Sequence, residues 1–552
     1  MKVKIKYEAI LLLLASFAMF FAGTAGFEAF DYDEAIYSAT TAEMIKSGDW
    51  VAPSFNSKKF YEKPPLLYWL TAAAYKAFPF NSISRAGRSV AAASAAGATL
   101  LIYLFALYYF SEGAARLSAL VFVTSLGTGI MSRAILTDGL FALFTSAAFF
   151  AAVLYIDTGQ RKYSMMFYAA AAFSMLAKGP AGPALAGVSA FFYALLSGKN
   201  IFKAIGIFVE PAGIAVFLAI AAPWHIAAAL RTGGEFFRDF FLVHNLKRFG
   251  GKAFEGHSGG VFYYLPVAMF WLFPWSAFLP QALLGWRKHR ALAGCVIAAA
   301  VPFAVFSLSK TKLPNYAAPM FPPLAVLLGY WLDGFVRRQS RENNLLPILS
   351  VFVAAVVGAV TGGAFLFAEN YLNANAARLA DAAPYLEHGA RLGLAPAALA
   401  ASIFACALWM TFVPFLRQKA PRLAIAGLAV FSVAAANIAL PLVAQKVWIT
   451  AQKPLKELTL EAAAEKPDAK IVAYGMVMSP SITLYAEREI VYLGHGELPE
   501  LAALKKTAAP VRLSTKNIQG VMVISKKSEF DRDLRGAGFV LVREAGGYAL
   551  SR

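Results

Sequence analysis

The sequence predicts an α-helical polytopic membrane protein with a small extracytoplasmic α/β domain at its C-terminal end. Three observations predict it. First, the 552 residues are 59% hydrophobic and only 15% charged, whereas an average soluble domain is about 25% charged. Second, apolar runs of roughly 18–22 residues recur as far as Ala444, each long enough to cross a hydrocarbon core ~30 Å thick. Third, the composition beyond Ala444 turns mixed polar, with short β-rich runs separated by helical stretches, the alternation of an α/β unit. The net charge of +19 could suggest nucleic acid. In a chain this apolar, membrane topology and anionic lipid account for it instead, so membrane lipids are expected partners and nucleic acid is not. Cys295 and Cys406 both lie inside apolar runs and give neither a metal-site spacing nor a disulfide framework.

Taken in order, the basic start MKVKIK and its apolar continuation read as a retained signal-anchor helix, because the run is long and lacks a clear cleavage site. Spans are expected near Glu8–Gly26, Val90–Phe110, Leu117–Met131, Gly139–Ile156, Ser164–Ala177, Pro183–Leu196 and Ala204–Ala222. Six more are expected near Val261–Leu283, Ala291–Leu308, Ala317–Phe335, Leu346–Phe367, Leu392–Phe415 and Leu423–Ala444. That makes about thirteen, with ends uncertain by ~2–4 residues. Every second connection is short and basic (Gln160–Lys162, Lys199, Trp286–Arg290, Arg337–Arg341, Arg417–Arg422), which places those connections in the cytoplasm. The opposite face collects residues 27–89, Ser132–Asp138, the Lys178-Gly179-Pro180 corner, Pro223–Gly260, Ser309–Tyr316, Ala368–Ala390 and the tail. The chain therefore divides into a transmembrane part, residues 1–444, and an extracytoplasmic α/β domain, residues 445–552. Within the latter, strands are expected at Lys470–Tyr474, Glu489–Leu493, Gly520–Ser525 and Phe539–Arg543, and helices at Leu455–Ala464, Leu498–Lys505 and Glu529–Arg535.

The first loop, residues 27–89, is too long for a plain connector and too rich in aromatic and apolar residues for disorder. It reads as one wall of an active site at the membrane surface. It also breaks the charge rule, since Lys46, Lys58, Lys59 and Lys63 lie on the side opposite the basic loops, which suggests a role such as meeting phosphate. Asp33 and Glu34 open a helix-like run from Ala35 to Ile45. Asp33 by itself fits a helix N-cap as well as a carboxylate made basic by partial desolvation. Glu62 and Lys63 precede Pro64-Pro65, a pair that stiffens the chain and would hold them at the entrance to the next apolar run. A snorkelling lysine with a local ion pair is the alternative.

Further candidates lie on the same face. Asp138 heads an apolar helix, where a cap would also suit it. Lys178 sits at a Gly-Pro corner. Asn245 and Arg248 occur in His244-Asn245-Leu246-Lys247-Arg248-Phe249, and Arg248 could grip phosphate oxygens in bidentate fashion. Lys312 and Tyr316 occur in Ser309-Lys310-Thr311-Lys312-Leu313-Pro314-Asn315-Tyr316 at another helix entrance. Acids and cations gathered on one face make a pocket suited to phosphate and to a reacting hydroxyl.

At these residues the chain resembles the GT-C glycosyltransferases, and more closely the bacterial protein O-mannosyltransferase and aminoarabinose transferase (ArnT-like) family. The matching elements are DYDEAIYSATTAEMIKSGDWVAP, FYEKPPLLYWL, SRAILTDGLFALF, LAKGP, HNLKRF and SKTKLPNYAAPMFPPLAVLLG, spread in order from Asp31 to Gly329. The resemblance implies a lipid-linked donor, a polyprenyl-phosphate monosaccharide, and transfer on the extracytoplasmic, periplasmic side of a bacterial inner membrane. The acceptor it implies is lipid A or lipopolysaccharide, with protein or another glycan as the alternative. It makes Asp33 the catalytic carboxylate, with Glu34 and Asp138 as further catalytic candidates. It assigns Lys63 and Arg248 to the donor phosphate, and Tyr37, Glu62, Lys178, Asn245, Lys312 and Tyr316 to the substrate pocket. Aminoarabinose transferases commonly carry an Arg three residues after the first-loop Asp; Ile36 stands there in this chain. No metal or other cofactor is expected to be required, although Asp33, Glu34 and Asp138 leave room for a divalent cation. The competing class is a transporter or flippase of a lipid-linked sugar, which would place its charges near the midplane. A third reading is a receptor or scaffold built around the C-terminal domain.

Overall fold

The computed structural model describes residues 2–240, 259–337, 345–379, 391–465, 467, 469–476, 478–494 and 521–552. The chain folds as a polytopic helical membrane protein, and each of the expected spans falls on a helix or a helix pair. The first half comprises α1 (Lys2–Phe21), α2 (Asp33–Ser47), α3 (Leu66–Ala77), α4 (Ile83–Tyr109), α5 (Glu112–Thr124), α6 (Leu126–Met131), α7 (Thr137–Thr158), α8 (Arg161–Lys178), α9 (Ala181–Leu196), α10 (Ile201–Gly206) and α11 (Pro211–Arg231). Among the described residues, 8 helices are long and apolar enough to cross a membrane, or 10 if two bent pairs each count as one span. The bent pairs are Tyr264–Trp271 with Trp275–Lys288, at 114°, and Val351–Leu366 with Ala368–Ala374, at 50°. The other three expected spans fall on the broken α5–α6 pair, on α8 and on α9, which are shorter or more polar.

Local chemistry sets the helix ends. The Ser82 hydroxyl accepts from the Arg85 N–H at the start of α4, and the Ser111 hydroxyl accepts from the Ala114 N–H at the start of α5, each satisfying a donor that would otherwise be orphaned. Packing within the body relies on aromatic stacks and on small residues. Phe105 and Phe150 stack at 4.0 Å between ring centroids, and Trp271 and Phe321 at 4.5 Å. A Cβ on Gly329 would sit 2.3 Å from the Ser118 backbone nitrogen. The helix Phe321–Val336 therefore approaches α5 as closely as a glycine allows, a packing mode common where lipid removes the hydrophobic drive between helices.

The first loop is compact. It contains α2, the two-residue hairpin strands β1 (Ser54–Phe55) and β2 (Lys58–Lys59), and α3. Near the C-terminus, β3 (Lys470–Tyr474), β4 (Ile490–Leu493), β5 (Val521–Lys526), β6 (Leu541–Ala545) and β7 (Tyr548–Ser551) form one sheet in the order β4-β3-β5-β7-β6. The first three run parallel, and β7 pairs antiparallel with both β5 and β6. Alternate residues face opposite sides. Ile471 and Ala473 pack with Leu455, Leu458 and Ala462 of the helix Lys453–Glu465, while Val472 and Tyr474 pack with Phe530 and Leu534. β7 was not expected from the sequence; the Gly546-Gly547 turn that leads into it has positive φ at both residues (54° and 76°), as a tight hairpin requires. The expected helix Leu498–Lys505 lies outside the described residues.

Candidate active site

Antiparallel neighbours put distant residues at one level. Asp138 lies in the first turn of α7 and Lys178 is the last residue of α8, its neighbour, so the two meet. Gly179, with φ at 97°, stops α8, and Pro180 caps α9, which fixes Lys178 at the corner. Pro65 is the N-cap of α3, a place where proline costs no helical hydrogen bond. Glu62 and Lys63 therefore lie just outside the helix entrance. Tyr316 sits in the short 3₁₀ helix Pro314–Met320 that leads into Phe321–Val336.

These ends enclose one cavity of about 150 Å³. Asp33 and Tyr37 of α2, Glu62 and Lys63, Asp138 and Phe141 of α7, Lys178, and Ser309, Thr311, Asn315 and Tyr316 line it. Lys178 forms an ion pair with Asp138, and its ammonium lies 4.6 Å from the centre of the Tyr316 ring. Both side chains are nearly enclosed, Asp138 4% and Lys178 15% exposed, so the pair is largely screened from solvent. Lys63 Nζ donates to the Glu62 carbonyl oxygen at 3.4 Å and lies 4.0 Å from the Glu62 carboxylate. The Lys63 side chain is 12% exposed and that of Glu62 is 41% exposed; the ammonium is sheltered while the acid faces the opening. Burial first, and then the charge of Asp33, push the Tyr37 hydroxyl well above its ordinary range, so it stays a neutral hydrogen-bonding group. The cavity thus offers carboxylates beside ammonium groups, an arrangement able to take a proton from one substrate and to receive negative charge from another.

Glu34 does not share this cavity. Successive helical residues point about 100° apart, so while Asp33 faces the cavity, Glu34 turns into the body. Its carboxylate accepts from Arg88 of α4 at 2.8 and 3.2 Å, from the Ile135 N–H at 3.0 Å and from the Phe30 N–H at 3.0 Å. Arg88 also donates to the Glu28 and Arg133 carbonyl oxygens. This hub ties the entrance of α2, which carries Asp33, to the segment that leads into α7, which carries Asp138. Glu34, expected among the catalytic candidates, is thus held in the body by Arg88 and does not line the cavity that Asp33 and Asp138 share. Arg88 was missed in the sequence, although an arginine inside an otherwise apolar helix was the available signal.

Lys312 is not among the lining residues; its buried ammonium donates to the Ser309 carbonyl oxygen at 2.5 Å. Of the other first-loop lysines, Lys46 donates to the Glu487 carbonyl oxygen and Lys59 pairs with Glu235, so Lys63 alone of these three lines the cavity. Asn245 and Arg248 lie outside the described residues. Among the described residues, no three His, Cys, Asp or Glu side chains converge as a metal site would need.

The helical body, the compact first loop and the terminal sheet together form the GT-C fold of membrane glycosyltransferases. The structure superposes on ArnT from Cupriavidus metallidurans bound to undecaprenyl phosphate with a TM-score of 0.77, covering 98% of this chain and 97% of that one at 21% identity. A family model described as dolichyl-phosphate-mannose-protein mannosyltransferase matches residues 62–226. An undecaprenyl phosphate-alpha-4-amino-4-deoxy-L-arabinose arabinosyl transferase of Pectobacterium carotovorum is 30% identical over 375 residues, 65% of this chain and 66% of that protein. An uncharacterized protein of Aquifex aeolicus is 30% identical over 353 residues, 63% of this chain and 79% of its own length. A second arabinosyl transferase, from Pectobacterium atrosepticum, is 28% identical over 60% of each chain. The chain thus spans about two thirds or less of the arabinosyl transferases it matches. It belongs to the ArnT-like family of GT-C glycosyltransferases.

Proposed function

We propose that the protein transfers a sugar from an undecaprenyl-phosphate-linked donor to lipid A at the periplasmic face of the inner membrane, in the manner named for its arabinosyl transferase relatives. The observation that carries this reading is the single cavity in which Asp33, Lys63, Asp138, Lys178 and Tyr316 converge from four separate stretches of chain. These charges lie at helix ends on one side of the body, which favours an interfacial enzyme over a midplane transport site.

Asp33 is the base for an acceptor hydroxyl, a role worth about 10²–10⁴-fold. The acceptor oxygen bonds to the anomeric carbon, its proton passes to the Asp33 carboxylate, and the bond from that carbon to the phosphate oxygen breaks, leaving its electron pair on the phosphate. Where the acceptor is itself an ionised phosphate, Asp33 orients it and takes no proton. Lys63 receives the charge that grows on the leaving phosphate. Tyr37 and Tyr316 supply hydroxyl-bearing walls, and the Asp138–Lys178 pair fixes the floor between them.

Purified protein in detergent, given undecaprenyl-phosphate aminoarabinose and lipid A, should add the sugar mass to lipid A, and Asp33→Ala should abolish this while remaining folded. Near-normal transfer by Asp33→Ala would sink the assignment. A protein acceptor is the second reading. It draws on the mannosyltransferase family model over residues 62–226 and on Ile36, which is buried where the aminoarabinose transferases commonly have an Arg. Donor consumed only when a protein acceptor is present would move the reaction there.

A further inference from the structure

The first loop is fastened to the C-terminal sheet domain at several points. Asp31 accepts two hydrogen bonds from Ser481, from its backbone N–H at 2.8 Å and from its hydroxyl at 2.7 Å. The Asn56 side chain exchanges two bonds with the Ile490 backbone, at 2.7 and 2.9 Å. The Lys46 ammonium donates to the Glu487 carbonyl oxygen at 2.8 Å, and Lys456 pairs with Glu28. Ser481 is fully buried. The clamp at Asp31 differs from the others in its distance from the chemistry, because Asp33 is only two residues further on and is the first residue of α2. Asp33 therefore stands between two anchored carboxylates. Glu34 ties one side of it to the membrane body, and Asp31 ties the other side to the C-terminal domain.

We propose that the C-terminal domain is a working part of the transfer site, with Ser481 holding Asp31 and thereby fixing the direction of the Asp33 carboxylate. Asp31 and Ser481 are positioning residues, and the inference rests on the transfer reaction given above. A catalytic group displaced by about 1 Å can lose about 10²-fold in rate, so a domain that fixes one residue can govern turnover without touching substrate.

The test measures kcat and KM per folded molecule in detergent, with undecaprenyl-phosphate aminoarabinose and lipid A as substrates. Asp31→Ala loses both bonds to Ser481 and should lower kcat by about 10²-fold with little change in KM. Ser481→Ala keeps only the backbone bond and should lower kcat by about tenfold. Asp31→Asn can still accept from the Ser481 N–H and donate to its hydroxyl, so it should stay near wild type. The Asp31→Ala/Ser481→Ala double variant should fall no further than Asp31→Ala, since both act through one contact. Arg543→Ala removes ion pairs to Glu457 and Glu461 within the C-terminal domain and should leave turnover intact. Wild-type kcat in Ser481→Ala, or an equal fall in Arg543→Ala, would overturn the proposal, and Ser481→Ala decides the matter if Asp31→Ala does not accumulate. Asp33→Asn separates the two claims. If it stays active, the site itself is wrong; if it is inactive while both clamp variants turn over normally, only the clamp is wrong.

Discussion

Replacing Glu34 by alanine separates holding from catalysis. The Glu34 carboxylate accepts four hydrogen bonds, two from Arg88 and one each from the backbone of Phe30 and Ile135. The Arg88 side chain is 1% exposed, so the truncation leaves a buried guanidinium without its counter-charge. Breaking a buried pair from one side costs about 3–5 kcal/mol, and each orphaned backbone donor about 1–3 kcal/mol. These terms overlap. Arg88 also keeps the carbonyl oxygens of Glu28 and Arg133, which brings the expected loss to the low end, roughly 3 kcal/mol. The assay is the thermal midpoint by tryptophan fluorescence in detergent, with turnover measured well below it and normalised to folded protein. Glu34→Ala should melt much earlier than wild type, whereas Asp33→Ala should melt normally and be inactive. A Glu34→Ala protein with a wild-type midpoint and no turnover would refute the reasoning and return Glu34 to the chemistry.

Further outcomes follow from the same geometry. Lys178→Met leaves Asp138 enclosed without its cation and should reduce turnover at least about tenfold; the Asp138→Asn/Lys178→Met double variant should recover folding but not activity. Lys63→Met should lower kcat/KM for the donor by about 10–100-fold, the worth of a charge-assisted bond, with kcat itself falling because the lysine meets charge that grows on the leaving phosphate. Stability should also depend on Asp31, whose carboxyl is raised from 3.8 to about 6, mainly by burial and against the lowering effect of its bonds to Ser481. Between those values the folded state keeps a proton that the unfolded chain has released. The contribution of Asp31 is thus complete below about pH 4 and lost as pH rises through about 6, a change of roughly 3 kcal/mol. Tyr485 and Tyr492 beside it are raised above their ordinary range, mainly by burial, and stay neutral throughout. Asp31→Asn should flatten the denaturation free energy over that pH window, and an unchanged slope would contradict the assignment.

Much of the cavity's lining was legible because those residues sit at helix entrances that punctuation marks in the chain. Pro64-Pro65 and Gly179-Pro180 betray the corners that hold Lys63 and Lys178, and the apolar run after Asp138 betrays the start of α7. Hydropathy placed the spans for the same reason, since each must satisfy its backbone internally across the membrane. What escaped was direction and long-range pairing. Asp33 and Glu34 are adjacent and chemically alike, and only the rotation of α2 sends one to the cavity and the other to Arg88. Four first-loop lysines looked equivalent, yet Lys46 and Lys59 pair elsewhere, Lys58 is exposed on β2, and of the four only Lys63 lines the cavity. Ser481 lies 450 residues from Asp31, a pairing that no local pattern announces. In the terminal sheet, β7 was missed because four residues after a Gly-Gly turn give too short a run to show alternation.

The central claim is that Asp33 performs or directs sugar transfer inside the cavity. It is tested most directly by mass spectrometry of lipid A and of surface glycans from cells with the gene, without it, and complemented with Asp33→Asn. The account predicts that a sugar-sized mass on lipid A disappears with the gene, returns with the wild-type copy and does not return with Asp33→Asn, although that protein is present and folded in the membrane. Restoration of the mass by Asp33→Asn would contradict the claim.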